Sequence, residues 1–341
     1  MATFDEKWAR SLLEICRYTY AAGFDDARNA TDEQETLTLI NASGELASEP
    51  TILRANATSV ACIVSYVDKN VVAYMGTKTQ FNTPANAAAS AADWFQNLEA
   101  PQVPFRLTPD QLGIASAGAG GHRDLGGRVH AGFLEELAAV QGLVVGELMS
   151  RGGKARPLYV TGHSQGGAEA ALATPALLAG GFSVAETYTF AAPRPGNADL
   201  AATVPSTFPI HRIEFGDDIV PHVPPTLLSR GARRIAEVLR GARLPHSATN
   251  AMLDSVLGAD GDLAYRSLGR LCYGSNKTRA LRVDLSEEQE AELFYDRLWS
   301  LARHPERWAE HHHLAGTSEE TAAGRKGNYT ALVSEFTLVR R

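Results

Sequence analysis

Short apolar runs bounded by turn residues recur along the chain and predict buried β-strands. The first two flank Asp68-Lys69 and therefore predict two adjacent strands joined as a hairpin. The predicted strands cover residues 58–67, 70–76, 157–163, 186–192, 208–215 and 279–285, and the segment 279–285 is expected to be the last strand.

Between these runs the apolar positions recur every three to four residues, which is the helical period. The pattern is clearest over residues 5–22, where Trp8, Leu12, Ile15 and Tyr20 define one apolar face. Further helices are predicted over 129–150, 168–178 and 286–308, with a kink or break at Pro175 inside the second of these. Strands that alternate with helices predict an α/β fold, with a mostly parallel central sheet flanked by helices. We expect a single domain over 1–341, in which 226–264 forms a helical insertion.

The composition and net charge of the chain indicate which kinds of partner and which compartment to expect. The chain has 341 residues and a formal net charge of −7, which argues against a nucleic-acid partner because phosphate binding needs a concentrated basic surface. No segment approaches the ~20 apolar residues of a membrane span, and no secretory signal is visible, so we expect a cytoplasmic location by default. Cys16, Cys62 and Cys272 show no metal-type spacing. They fit a reducing compartment, with one disulfide left open.

The most specific chemical signal is Gly162-His163-Ser164-Gln165-Gly166, which matches G-x-S-x-G between a predicted strand and a predicted helix. A sharp strand-to-helix turn exposes the serine hydroxyl, and the glycines allow close approach of the backbone. The pattern predicts that Ser164 is a nucleophile. The alternative is a glycine-rich turn with an incidental serine.

A serine nucleophile needs a histidine base and an orienting carboxylate. When the serine lies in a strand-to-helix turn of this kind, these residues follow along the chain in the order Ser, Asp or Glu, His. Asp218 is the preferred acid because it follows a strand, and Asp217 is interpreted as a solvated loop acid or cap. The histidines that follow it are His222, His246, His304 and the cluster His311-His312-His313. The cluster comes after the last predicted strand and is the natural place for the base. No set of acidic residues with zinc-site spacing accompanies it, so we predict neither a metal nor a cofactor.

The chain also resembles the fungal-type (class 3) lipases of the α/β-hydrolase superfamily. Six segments match in order: 73–77 (AYMGT), 93–94 (DW), 129–133 (VHAGF), 159–167 (YVTGHSQGG), 189–197 (TFAAPRPGN) and 218–225 (DIVPHVPP). The resemblance implies Ser164 as nucleophile and Asp218 as the acid. It also implies an oxyanion hole made by the backbone N–H groups of Thr77 and Gln165, and a lid over residues 78–92. His312 is the first choice for the base and His311 the second.

Two positions depart from the family pattern. Met75 stands where the family usually has Arg, and Tyr329 lies far beyond the histidine cluster, whereas the family has a Tyr within a few residues of its base. The expected activity is hydrolysis of carboxylic esters, acylglycerol lipids foremost, through an acyl-enzyme, with transient contact to a lipid interface. The alternatives are a carboxylesterase for soluble short-chain esters, a non-catalytic hydrolase-like binding module, and a metal-dependent hydrolase that uses the histidine cluster.

Overall fold

The computed structural model describes residues 4–23, 30–77, 101–115, 121–224, 265–283, 285–303, 311–312, 329, 332 and 336–339. The predicted lid at 78–92 and the predicted helical insertion at 226–264 lie outside these described residues. The same holds for His246, His304 and His313.

Nine strands of the described chain form one sheet in the order β1-β2-β3-β6-β7-β8-β9-β10-β11. Neighbouring strands run parallel from β3 through β9, and β1, β2 and β10 pair antiparallel with their inner neighbours. The strands are β1 (Thr51–Arg54), β2 (Val60–Ser65), β3 (Asn70–Tyr74), β6 (Leu158–His163), β7 (Val184–Phe190), β8 (Ile210–Phe215), β9 (Arg270–Ser275), β10 (Ala280–Val283) and β11 (Thr337–Val339). A mostly parallel sheet flanked by helices confirms the predicted fold class.

Helices cover both faces of this sheet, and strands β2, β3 and β8 are buried at every position. In β3, Val72 and Tyr74 belong to a core cluster with residues of the helices Ala131–Ser150 and Gln165–Ala179, whereas Val71 and Ala73 belong to the cluster that contains the helix Glu6–Gly23. The main helices are α1 (Glu6–Gly23), α2 (Ala30–Ala42), α4 (Ala131–Ser150), α5 (Gln165–Ala179) and α7 (Glu287–Arg303).

A separate antiparallel pair, β4 (Gln102–Leu107) and β5 (Arg123–His130), lies beside the main sheet. The short helices α3 (Pro109–Leu112) and α6 (Ala198–Ala202) and the 3-10 turns Gly153–Ala155 and Val220–His222 complete the described elements. No helix in the described part of the chain combines the length and the apolar character that crossing a bilayer requires.

Most predicted elements are confirmed, and three details were wrong. The helix predicted from Val129 begins at Ala131, because Val129 and His130 end strand β5 and His130 caps the helix by accepting the Phe133 N–H at 3.3 Å. Helix α5 runs through Pro175 without the predicted break, and the kink there stays a prediction. Strand β10 is not the last strand, since Thr337–Val339 pairs parallel to it.

Candidate active site

Ser164 lies in the turn between β6 and α5 with φ 57° and ψ −131°. A positive φ is costly for a residue with a side chain, so the surroundings must hold the turn in place. The Ser164 N–H donates to the Phe190 carbonyl at 2.9 Å, which anchors the turn to strand β7. A Cβ on Gly162 would collide with the backbone of Gly166, and one on Gly166 would collide with the backbone of Tyr74. Glycine is therefore required on both sides of the serine.

Ser164, His312 and Asp218 come together although they are far apart in sequence. The Ser164 hydroxyl oxygen lies 2.9 Å from His312 Nε2, and His312 Nδ1 lies 3.0 Å from Asp218 Oδ2. All three residues are buried, and Asp218 has no exposed surface. Since the carboxylate only accepts, Nδ1 carries the hydrogen and Nε2 is left to accept the serine proton. The arrangement can remove a proton from Ser164.

His163, the residue before the serine, holds the main chain of His312. Its Nε2 lies 2.9 Å from the His312 carbonyl oxygen, to which it donates because a carbonyl can only accept. Its Nδ1 is then the acceptor for the Tyr20 hydroxyl of α1 at 3.2 Å. Burial raises the pKa of Tyr20, so the phenol keeps its proton and remains a donor. Helix α1 thereby contributes to placing His312.

Asp218 is held by donors on both carboxylate oxygens. Oδ1 accepts the N–H of Val220 at 3.0 Å, and Oδ2 accepts the hydroxyl of Tyr329 at 2.7 Å. The Tyr329 hydroxyl also accepts the N–H of Phe215 at 3.2 Å. Burial, and next the charge of Asp218, raise the pKa of Tyr329 well above its ordinary value. Tyr329 therefore stays protonated and donates to the carboxylate.

The other described histidines after Asp218 have different surroundings. His311 Nδ1 accepts the N–H of Asp217 at 2.7 Å, and its ring packs on Phe215. His222 is buried between Arg194 and Arg297, and burial and the charges of these two guanidinium groups lower its pKa well below the ordinary value. The structure therefore brings the first choice, His312, to Ser164, and brings His311 to the backbone of the loop that carries Asp218.

The predicted oxyanion-hole residues lie on the two segments beside Ser164. Gln165 is the first residue of α5, where backbone N–H groups have no partner inside the helix. Thr77 follows β3 and Gly76. Across the described chain, neither backbone N–H group donates to a protein acceptor. The side chains of the two residues are joined, with the Thr77 hydroxyl donating to Gln165 Oε1 at 2.5 Å.

The described residues contain no group of three or more His, Cys, Asp and Glu side chains arranged to hold a metal ion. His311 and His312, which the metal-dependent alternative would use together, contact Asp217 and the pair Ser164 and Asp218 respectively.

Comparison with known proteins bears on this site directly. Residues 84–228, which include Ser164 and Asp218, match the model of the class 3 lipase family. Over this segment the chain is similar to the class 3 lipases. A lipase of Rhizopus niveus is 41% identical over 114 residues, covering 29% of this chain and 27% of the relative. The secreted mono- and diacylglycerol lipase 1 of Fusarium solani is 40% identical over 101 residues, covering 28% of this chain and 30% of the relative. The chain thus spans less than a third of the length of these curated relatives.

Solved structures of fungal lipases are also similar to this chain. A Rhizomucor miehei lipase in complex with its propeptide covers 81% of this chain and 69% of its own, at 18% identity and a TM-score of 0.48. The lipase of Rhizopus microsporus var. chinensis covers 79% and 73%, at 19% identity and a TM-score of 0.45.

Sequence reasoning missed three residues of the site. In the sequence, Tyr329 differs from the family pattern only in lying far from the histidine cluster. That separation gives no indication that Tyr329 contacts Asp218. Arg297 of α7 is 1% exposed and donates to the Gly216 carbonyl at 3.0 Å. Glu169 is fully buried behind the nucleophile turn. A charged residue in an otherwise apolar helical stretch is the one signal that singles out Glu169.

Proposed function

We propose that this chain hydrolyses carboxylic esters, with acylglycerols as its main substrate class, through an acyl-enzyme on Ser164. One observation carries the proposal. The hydrogen-bonded series from Ser164 Oγ to His312 Nε2 and from His312 Nδ1 to Asp218 Oδ2 has distances of 2.9 and 3.0 Å. That geometry turns a weak hydroxyl nucleophile into one that can attack an ester carbonyl.

In the first half of the reaction, His312 Nε2 takes the proton of Ser164 as Oγ bonds to the ester carbonyl carbon. The negative charge on the former carbonyl oxygen is stabilised by the N–H groups of Thr77 and Gln165, helped by the N-terminal dipole of the 15-residue helix α5. A donor of this kind typically contributes about 3 kcal/mol. The carbon–oxygen bond to the alcohol then breaks, and the alcohol leaves with the proton from His312.

In the second half, His312 removes a proton from a water molecule, and the resulting hydroxide attacks the acyl carbon. The same N–H groups stabilise the second tetrahedral intermediate. The bond to Ser164 Oγ breaks, the carboxylic acid leaves, and the proton on His312 returns to the serine oxygen. Throughout, Asp218 fixes the tautomer of His312 and stabilises the imidazolium.

The experiment that tests this proposal is labelling with a fluorophosphonate, followed by mass spectrometry of the modified peptide. We expect the label on Ser164, and we expect Ser164→Ala to lower kcat on p-nitrophenyl butyrate by about 10⁴-fold or more without changing the fold. A label elsewhere, or full activity of Ser164→Ala, would refute the assignment. Prior treatment with a chelator should leave activity unchanged, whereas the metal-dependent alternative requires its loss.

The choice between acylglycerols and soluble esters is tested by the substrate concentration at which the rate rises. The relatives that match this chain are called lipases, which supports acylglycerols. We expect the rate on tributyrin to increase sharply when its concentration passes the solubility limit. A rate that saturates below that limit and does not respond to the emulsion would favour the soluble-ester carboxylesterase.

A further inference from the structure

The buried carboxyl group of Glu169 is hydrogen-bonded to the side chain of Gln165, the residue that follows Ser164. Gln165 Nε2 donates to Glu169 Oε1 at 3.1 Å, and Gln165 Oε1 accepts the Thr77 hydroxyl at 2.5 Å. Glu169 has no exposed surface, and its Oε2 has no hydrogen-bond partner within the described chain. The series Glu169–Gln165–Thr77 thus connects the interior of α5 with the segment that follows β3.

Packing alone does not account for an acid at this position. The residues around it in α5, among them Ala168, Ala170 and Leu172, belong to the apolar core. Burial, and to a smaller degree the charge of Glu136, raise the pKa of Glu169 well above its ordinary value. A buried polar atom without a partner destabilises the folded state, so an apolar residue of similar size would suit the fold better.

The contact has consequences for the two donors that the proposed mechanism uses. Thr77 and Gln165 lie on different segments, and their N–H groups stabilise the oxyanion only if the segments keep a fixed separation. The Gln165 side chain spans that gap. It can hold the Thr77 hydroxyl only while its own amide is fixed, and Glu169 fixes it. Displacements of less than 1 Å matter for such donors, because they must meet an oxygen that develops charge only in the transition state.

We propose that Glu169 is a positioning residue of the oxyanion hole, acting through the side chain of Gln165 on Thr77. The inference rests on the proposed function, since it deepens the same site. Glu169 does not touch the substrate. It keeps the amide of Gln165 in the orientation that ties the start of α5 to the turn after β3.

The test uses Glu169→Gln, which keeps an oxygen acceptor at the same place, and Glu169→Met, which keeps the chain length and removes the acceptor. With p-nitrophenyl butyrate we expect Glu169→Met to lower kcat about tenfold with KM within twofold, and Glu169→Gln to stay within twofold of wild type in both. The Ki of butaneboronic acid, whose tetrahedral adduct places an oxygen in the oxyanion hole, should rise about tenfold in Glu169→Met alone. Glu169→Leu replaces Glu169→Met if the latter does not fold.

A double-mutant cycle tests the route through Gln165. If Glu169 acts through that side chain, Gln165→Met combined with Glu169→Met should be no slower than Gln165→Met by itself. Additive losses, an unchanged Ki in Glu169→Met, or an equal loss in Glu169→Gln would each overturn the assignment. A wild-type protein that forms neither the boronate nor the fluorophosphonate adduct would overturn the proposed function and this assignment with it. Normal adducts in the wild type, with an unaffected Glu169→Met, would overturn this assignment alone.

Discussion

Tyr329 connects the acid of the proposed triad to strand β8. Its hydroxyl donates to Asp218 Oδ2 and accepts the N–H of Phe215, the last residue of that strand. Its ring also packs against His163, at 5.8 Å between centroids. A single phenol therefore contacts the carboxylate, the strand that precedes it and the histidine beside the nucleophile.

Removing the Tyr329 hydroxyl should weaken catalysis. A hydrogen bond to a charged group contributes about 1.5–3 kcal/mol, and in Tyr329→Phe the Asp218 carboxylate loses one. We expect kcat on a soluble ester to fall about tenfold, because Asp218 then holds His312 less firmly, while KM stays within twofold. Steady-state kinetics measure this, with Tyr18→Phe, a buried tyrosine of α1, as the control. Equal kcat values for wild type and Tyr329→Phe would contradict the role given to the phenol.

The buried carboxyl of Glu169 makes a second prediction, which concerns stability and pH. Its pKa is raised in the folded state, so the stability it contributes is fully present below the unfolded pKa of about 4.5 and is lost as the pH rises. The titratable groups whose charge acts on it or responds to it are Glu136, Tyr20 and Tyr74. Glu169→Met should therefore increase the free energy of unfolding more at pH 8 than at pH 4.

Urea denaturation at the two pH values measures this difference. The control is Glu135→Met on α4, where the glutamate is exposed and the substitution should have nearly the same effect at both pH values. If the effect of Glu169→Met is independent of pH, the carboxyl is ionised in the folded protein.

At the scale of elements, helix α7 contacts and stabilises the loop that carries Asp218. Arg297 donates to the Gly216 carbonyl at 3.0 Å and to Glu214 Oε2 at 2.6 Å, and Ser300 donates to Asp217 at 2.7 Å. The Arg297 guanidinium is buried. Glu214, at the end of β8, faces it with no exposed surface. This contact joins α7 to the carboxyl end of β8, where the acid loop begins.

Removing the contacts of Arg297 should strongly lower the free energy of unfolding. In Arg297→Met the buried carboxylate of Glu214 loses one of its two arginine partners among the described residues and keeps Arg212. Loss of one member of a buried ion pair costs about 3–5 kcal/mol, and we expect a decrease near the lower end because Arg212 remains. Chemical denaturation measures it. The matched control is Arg303→Met, an exposed arginine on the same helix, for which a change within about 0.5 kcal/mol is expected. Equal free energies of unfolding for the two variants would contradict a stabilising role of the Arg297 contacts.

The elements that the sequence predicts best are those with strong apolar patterns. Ser164 lies between β6 and α5, and both elements are buried enough for their apolar patterns to be recognisable in the sequence. Strand β5 was not predicted because its Arg-Asp-Leu-Gly-Gly-Arg stretch is mostly exposed and does not alternate regularly. Strand β11 has only three residues, and its pairing with β10 depends on the chain's return to the sheet edge. Helix α5 continues through Pro175 because it is buried along nearly its whole length, so that packing overrides local propensity.

At the scale of the whole molecule, the G-x-S-x-G motif, the order serine, acid, histidine along the chain and the family resemblance together pointed to Ser164, Asp218 and the 311–313 cluster. The supporting contacts were not predictable in the same way. Tyr329 reaches Asp218 across 111 positions of sequence, and Arg297 reaches Glu214 across 83. Motifs record which residues perform the chemistry. Residues that contact the site from distant elements have no fixed local spacing, so the sequence pattern does not indicate them.

The net charge of −7 gives a last prediction, for the behaviour of the whole molecule at a lipid interface. A negatively charged protein is repelled by an anionic surface, and the repulsion is screened within about 10 Å at 0.1 M salt. We therefore expect hydrolysis of tributyrin droplets coated with phosphatidylglycerol to be slower than that of droplets coated with phosphatidylcholine at 10 mM salt. At about 0.5 M salt the two rates should converge, because screening removes the repulsion and leaves the active site unchanged. The soluble ester p-nitrophenyl butyrate is the control, since its hydrolysis involves no charged surface and should respond little to salt. If phosphatidylglycerol accelerated the reaction at low salt, a local basic surface rather than the net charge would govern how the protein meets the lipid.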